Sequence, residues 1–147
     1  MEKKTGSGGS VTKKWMEEYF ESFNKFGVAK TFPVYFAEDA VFKTAWEKES
    51  HGRENIIKFM RDVVHHGDKI KETLMPFNIV IDGDAVAVEL LTEMVALEDV
   101  PNYHVGSFKK GEKINWRLSA FYKIKNGKIG QVQVYVVLEE WLRKWIR

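Results

Sequence analysis

Apolar positions recur at three- and four-residue intervals over 11–26, where Trp15, Tyr19, Phe20, Phe23 and Phe26 stand opposite Lys13, Lys14, Glu17, Glu18, Glu21 and Lys25. That spacing predicts a first helix, with Ser10 or Thr12 as its N-cap. Gly27 breaks it, and 28–36 reads as a shorter second helix resting on Phe32, Tyr35 and Phe36, in which Pro33 is tolerable only in the first turn. A short strand follows over 39–45. A third helix over 53–66 then places Ile56, Ile57, Met60, Val63 and Val64 on one stripe before Gly67.

From Ile70 the period changes. Strands are predicted over 70–81, 85–96, 113–125 and 128–137, separated by Asp82-Gly83-Asp84, a longer loop and Asn126-Gly127, with a short extra strand over 105–109. The last strand alternates Gln131, Gln133 and Tyr135 against Val132, Val134 and Val136, the signature of a sheet with one buried face. Its pairing strand then sends Trp116, Leu118, Ala120 and Tyr122 inward and Arg117, Ser119 and Lys123 outward. Residues 139–147 put Trp141, Leu142, Trp145 and Ile146 on one stripe and predict a final short helix, packed on its own domain or on a partner subunit. Helices followed by a long antiparallel meander make an α+β arrangement in which a curved sheet wraps the helices, and such a sheet encloses a pocket.

Composition narrows the function. The chain of 147 residues suits one domain over 11–147 behind a flexible Gly/Ser-rich leader over 1–10. Lys+Arg of 23 against Asp+Glu of 21 gives a net charge of +2, interspersed along the chain, so nucleic acid is not an expected partner. The absence of cysteine removes disulfides, thiol nucleophiles and Cys-based metal sites. No apolar run reaches the length of about 18 residues that a membrane helix needs, and no secretory signal pattern opens the chain, so a cytoplasmic protein without membrane contact is expected. His51, His65, His66 and His104 show no metal-ligand spacing, and no phosphate loop or cofactor fingerprint is present; neither metal nor cofactor is expected.

The runs Tyr35-Phe36-Ala37-Glu38-Asp39-Ala40-Val41, His51-Gly52-Arg53-Glu54-Asn55-Ile56, Asp82-Gly83-Asp84-Ala85-Val86-Ala87-Val88 and 121–129 resemble the nuclear-transport-factor-2-like superfamily, which includes SnoaL-like polyketide cyclases, limonene-epoxide hydrolases and ketosteroid isomerases. The resemblance implies a cone-shaped α+β barrel, a hydrophobic small-molecule ligand, a homodimer formed through the sheet, and cofactor-independent hydrolysis, isomerisation or cyclisation. The catalytic patterns do not carry over. Met94 and Ala96 stand where the epoxide-hydrolase pattern has Arg and Asp, Phe42 and Thr44 replace its Tyr-x-Asn pair, and its final Asp, like that of the cyclases, falls near Val134. The ketosteroid-isomerase pattern places its oxyanion-binding Tyr on Tyr19, its base on Thr44 and its protonated-Asp donor near Ala120.

Polar groups expected to reach the pocket are Tyr19, Thr44, Thr92, Tyr122 and the indoles of Trp46 and Trp116, against Met94, Ala120 and Val134. The acid/base candidates are His51, next to Gly52 at the expected pocket mouth, and Glu72, whose strand does not alternate cleanly; Glu89 and Glu93 share a face with Leu91 and, by the register the resemblance implies, point away from the cavity. His65 and His66 read as helix C-terminal residues favoured by the macrodipole. Tyr19, Tyr122, His51 and Glu72 are therefore the catalytic candidates. The alternative is a non-catalytic binding or assembly module that keeps the cone without the catalytic carboxylates.

Overall fold

A computed structural model describes residues 10–44, 48–103 and 106–137. The predicted leader up to residue 9 and the predicted helix over 139–147 lie outside the described residues. Helix α1 spans Lys13–Phe26. Thr12 is its N-cap, accepting a hydrogen bond from Trp15 N–H at 3.0 Å. Met16, Tyr19, Phe20 and Phe23 form its buried face, whereas Phe26 is left exposed. Gly27, at φ +81°, lets the chain turn directly into α2, Val28–Tyr35.

Pro33 lies beyond the first turn of α2, contrary to the expectation. Having no N–H, Pro33 cannot supply the bond to the Ala29 carbonyl one turn back. Arg53 then reaches back to donate to the carbonyls of Pro33 and Phe36, at 3.4 and 3.3 Å.

Strands β1 (Phe36–Lys43) and β2 (Glu49–His51) precede α3 (Arg53–Phe59), and the predicted third helix does not run on regularly. Met60–Val64 widen into a π-helical turn closed by His65 N–H on Met60 C=O at 2.8 Å. The chain then reverses through His66, Gly67 and Asp68, all at positive φ. Arg61 staples the reversal with a fork onto the Asp68 carboxylate, its closest contact 2.5 Å.

Beyond the reversal lie β3 (Ile70–Asp82), β4 (Ala85–Ala96), the hairpin β5 (Val100–Tyr103) and β6 (Gly106–Phe108), then β7 (Lys113–Lys125) and β8 (Lys128–Val137). The four long strands fall within a residue of their predicted bounds; β2 and β5 were not expected. The main sheet runs β2-β1-β8-β7-β4-β3, antiparallel except where β1 lies parallel to β8. It is an open sheet rather than a closed barrel, with β2 and β3 at its edges. No helix among the described residues is long and apolar enough to cross a membrane.

The helices pack on the inner face of the sheet, where Phe32 stacks on Phe36 with ring centroids 4.1 Å apart. The exposed edge of β3 is closed by one side chain. Asn24 of α1 donates to Leu74 C=O and accepts from Leu74 N–H, both at 2.8 Å, completing the strand as a neighbouring backbone would. Replacing Asn24 by Ala removes both bonds, and a loss of about 2 kcal/mol is expected. At roughly 2–4 °C per kcal/mol for a domain of this size, thermal unfolding of Asn24→Ala should shift down by about 4–8 °C.

Candidate functional site

Inward positions of the sheet follow from its register. Thr92 pairs with Leu74 and Trp116, Met94 with Glu72, and Ala120 with Val88 and Val134, so these side chains share one face. Together with the helices they surround a cavity of about 90 Å³. Seven aromatic side chains line it: Tyr19, Phe23, Phe32, Phe42, Tyr103, Trp116 and Tyr122. Thr44, Thr92, Met94, Trp116, Ala120, Tyr122 and Val134 line it, while Trp46 lies outside the described residues.

Glu72 also lines the cavity, the acidic residue to do so among the described residues. Its side chain is 8% exposed and its Oε1 lies 2.9 Å from His65 Nε2. His65 stands at the helix C-terminus as expected, capping the π turn, and its side chain is buried. The π turn adds a residue to the winding, and each residue of a helix turns the chain by about 100°. The imidazole is thereby carried inward, against the edge of the Phe23 ring. Its backbone is held as well, since His65 C=O accepts from both Lys69 and Ile70 N–H at 3.0 Å. On the far side of the pair, His65 and Glu72 also border an outer cleft with Arg61, Asp68 and Lys71.

His51 is not at the cavity. On β2, alternation buries Ser50 and turns His51 outward, where its side chain is 68% exposed and bonded to Glu49 at 3.0 Å. Glu89 is exposed on the outer face and bonded to Asn78 at 3.0 Å, as its predicted direction requires. Among the described residues no group of three or more metal-ligating side chains converges.

Three phenols share the cavity with Glu72. Burial pushes Tyr122 and Tyr103 well above the ordinary phenol range, and the Glu72 charge adds to it. Burial does the same to Tyr19, with Tyr122 and then Glu72 as further causes. All three stay neutral donors across the physiological range. Tyr103 Oη donates to Val64 C=O at 2.9 Å, which ties the β5–β6 hairpin to the π turn. Thr92, 1% exposed, has its hydroxyl without a hydrogen-bond partner among the described residues. The arrangement offers a hydrogen-bonded carboxylate–imidazole pair, neutral hydroxyl donors and an apolar wall, which together suit proton transfer on a small bound molecule.

No protein of curated function matches the chain. Among solved structures it is similar to a proposed polyketide cyclase from Xanthomonas campestris pv. campestris, at 20% identity over 88% of this chain and 93% of that one, TM-score 0.71. An LEH-like epoxide hydrolase from M. tuberculosis matches at 12% identity over 88% and 85%, TM-score 0.66. A hypothetical protein with a ketosteroid isomerase-like fold from Catenulispora acidiphila DSM 44928, in complex with trimethylamine, matches at 14% identity over 85% and 86%, TM-score 0.63. The family model of the SnoaL-like domain matches residues 16–132, the helices and sheet that build this cavity, and the chain belongs to that family.

Proposed function

We propose that the protein binds a small, mostly apolar molecule in the cavity and transfers a proton to or from it without a cofactor. Glu72 is the acid/base, His65 orients it, and Tyr19 and Tyr122 hydrogen-bond the oxygen on which charge develops. The observation that carries this reading is the 2.9 Å pairing of Glu72 with His65 at the wall of an otherwise apolar cavity. A buried carboxylate is costly unless the site uses it or pairs it well. The cyclase, hydrolase and isomerase-like neighbours support a reaction of the isomerisation, cyclisation or hydrolysis type.

The step the geometry suits best is removal of a proton from carbon next to a carbonyl. The carboxylate takes the proton, and the phenols hold the enolate oxygen as its charge grows. Size restricts the substrate, because about 90 Å³ is well below the several hundred of a typical ligand cleft.

We also propose a homodimer through the outer face of the sheet. Phe77 and Phe121 are 53% and 51% exposed there, with Val80, Leu91 and Tyr135 beside them. Exposed apolar area of this kind marks an interface.

Three outcomes are expected. A panel of small cyclic ketones and epoxides, including cyclopent-3-enone and cyclopentene oxide, should contain a compound that the protein turns over. For that compound Glu72→Gln should lower kcat by about 10²–10⁴ with KM within roughly threefold; an unchanged kcat would remove Glu72 as the acid/base, and a panel with no turnover would leave a non-catalytic binding module. In an alkaline titration followed at 295 nm, Tyr19, Tyr103 and Tyr122 should stay silent until the protein unfolds. Their raised folded values mean that both states are neutral below about pH 10, so this stability is intact there. It is lost as pH rises further, because the unfolded chain releases protons that the folded chain keeps. Finally, light scattering should give a dimer for the wild type and a monomer for the double variant Phe77→Glu, Phe121→Glu.

A further inference from the structure

We propose that the polar head held in the cavity is a small amine, bound as its ammonium ion against Glu72 and enclosed by the aromatic wall. The inference rests on the cavity being the ligand site and concerns the bound complex: with an ammonium ion on Glu72 the carboxylate holds the ligand, and it takes no proton from carbon while so engaged.

The sign of the charge comes first. Glu72 lines the cavity, and no lysine or arginine among the described residues stands beside it on that wall. Arg61 and Lys71 border the outer cleft instead, and Arg61 is forked onto Asp68. Inside, the carboxylate has one hydrogen-bonded neighbour, the His65 imidazole. An anion entering this space meets a carboxylate in a poorly solvated site and is repelled. A neutral molecule gains nothing from the charge, whereas a cation forms a charge-assisted contact with the carboxylate.

The wall matches the rest of such a ligand. An alkylammonium spreads its charge over the hydrogens of its methyl or methylene groups, which aromatic faces attract while also covering their apolar surface. Seven rings line this cavity. Tyr19, Tyr103 and Tyr122 are among them, so these rings and the carboxylate line the same space.

Size and one orphaned group complete the argument. A cavity of about 90 Å³ is small beside the several hundred of a typical ligand cleft, which suits a trimethylammonium-sized head. The buried Thr92 hydroxyl, on that wall and without a hydrogen-bond partner among the described residues, is left for the ligand or for a water carried with it.

The test is calorimetric titration of the full chain with four compact branched probes of different charge: trimethylammonium, tetramethylammonium, tert-butanol and pivalate. Both cations should bind, trimethylammonium at least about tenfold more tightly than tert-butanol, and pivalate should not bind. Glu72→Gln should weaken both cations by about tenfold or more and leave tert-butanol within roughly twofold. If Glu72→Gln does not fold by circular dichroism, the order of the four probes on the wild type decides alone. Tert-butanol or pivalate binding as tightly as trimethylammonium overturns the amine and leaves the cavity as a ligand site. Failure of all four probes to bind overturns the ligand site and the amine together.

Discussion

The hydrogen bond between His65 and Glu72 is the constraint on which the rest of the site depends. It joins two segments with different structural reasons to exist: a helix that has just lost its regular winding and the first turn of an edge strand. Neither residue is held by this bond alone. His65 is fixed by its backbone bonds to Met60, Lys69 and Ile70, and Glu72 stands between Ile70 and Leu74, which are anchored to the helical layer by His65 and Asn24. The pair therefore sits on a frame closed at both ends. Its geometry is set by the fold before any ligand arrives, which is the condition for a general base to act without reorganising.

That frame lies where the fold is least protected. Strand β3 is at the edge of the sheet, with one neighbour, β4. An edge strand can be bent and bulged more freely than a central one, and β3 does bulge between Pro76 and Asn78. The bulge lets Glu72 and Leu74 before it and Ile79 and Ile81 after it pack on the same inner face. The same freedom is a liability, because open edges invite pairing with other chains. Asn24 answers it by occupying both backbone groups of Leu74. One amide thus protects the edge and holds the carboxylate's strand against the helix.

The central strands were legible because β4 and β7 keep strict alternation, from Val86 to Ala96 and from Ile114 to Ile124, and each inward position is apolar or small. The same register carried Thr92, Trp116 and Tyr122 to the cavity wall without any appeal to a motif. The acid/base pair was half legible. Glu72 could be nominated as a carboxylate, but the bulge broke the alternation that would have set its direction. His65 was hidden, since a π turn cannot be read from an apolar stripe; Met60, Val63 and Val64 fit an ordinary helix equally well. His51 misled because proximity to Gly52 says nothing about the face of a short strand. Asn24 gave one signal, a polar residue within the aromatic half of α1, and its partner fifty residues away is a matter of packing alone.

The departures from the family's catalytic patterns have a physical reading. Inward positions recur every second residue on every strand of a curved sheet, so the wall offers many places from which a side chain can reach the same space. Met94 stands where one pattern has an arginine, and its cross-strand partner is Glu72. A carboxylate from the neighbouring strand thus arrives beside the position that the pattern leaves apolar. What the chemistry requires is a group facing inward, shielded from water and supplied with a proton partner, and no particular strand is needed for that. Matching residues by position then passes over a carboxylate that reaches the cavity from another strand. The wall around Glu72 also has a different character from a cationic one. With Met94 in place of a guanidinium, the charge of the carboxylate is left to the imidazole and to whatever enters, and the aromatic rings around it make a positive guest the electrostatically favoured one.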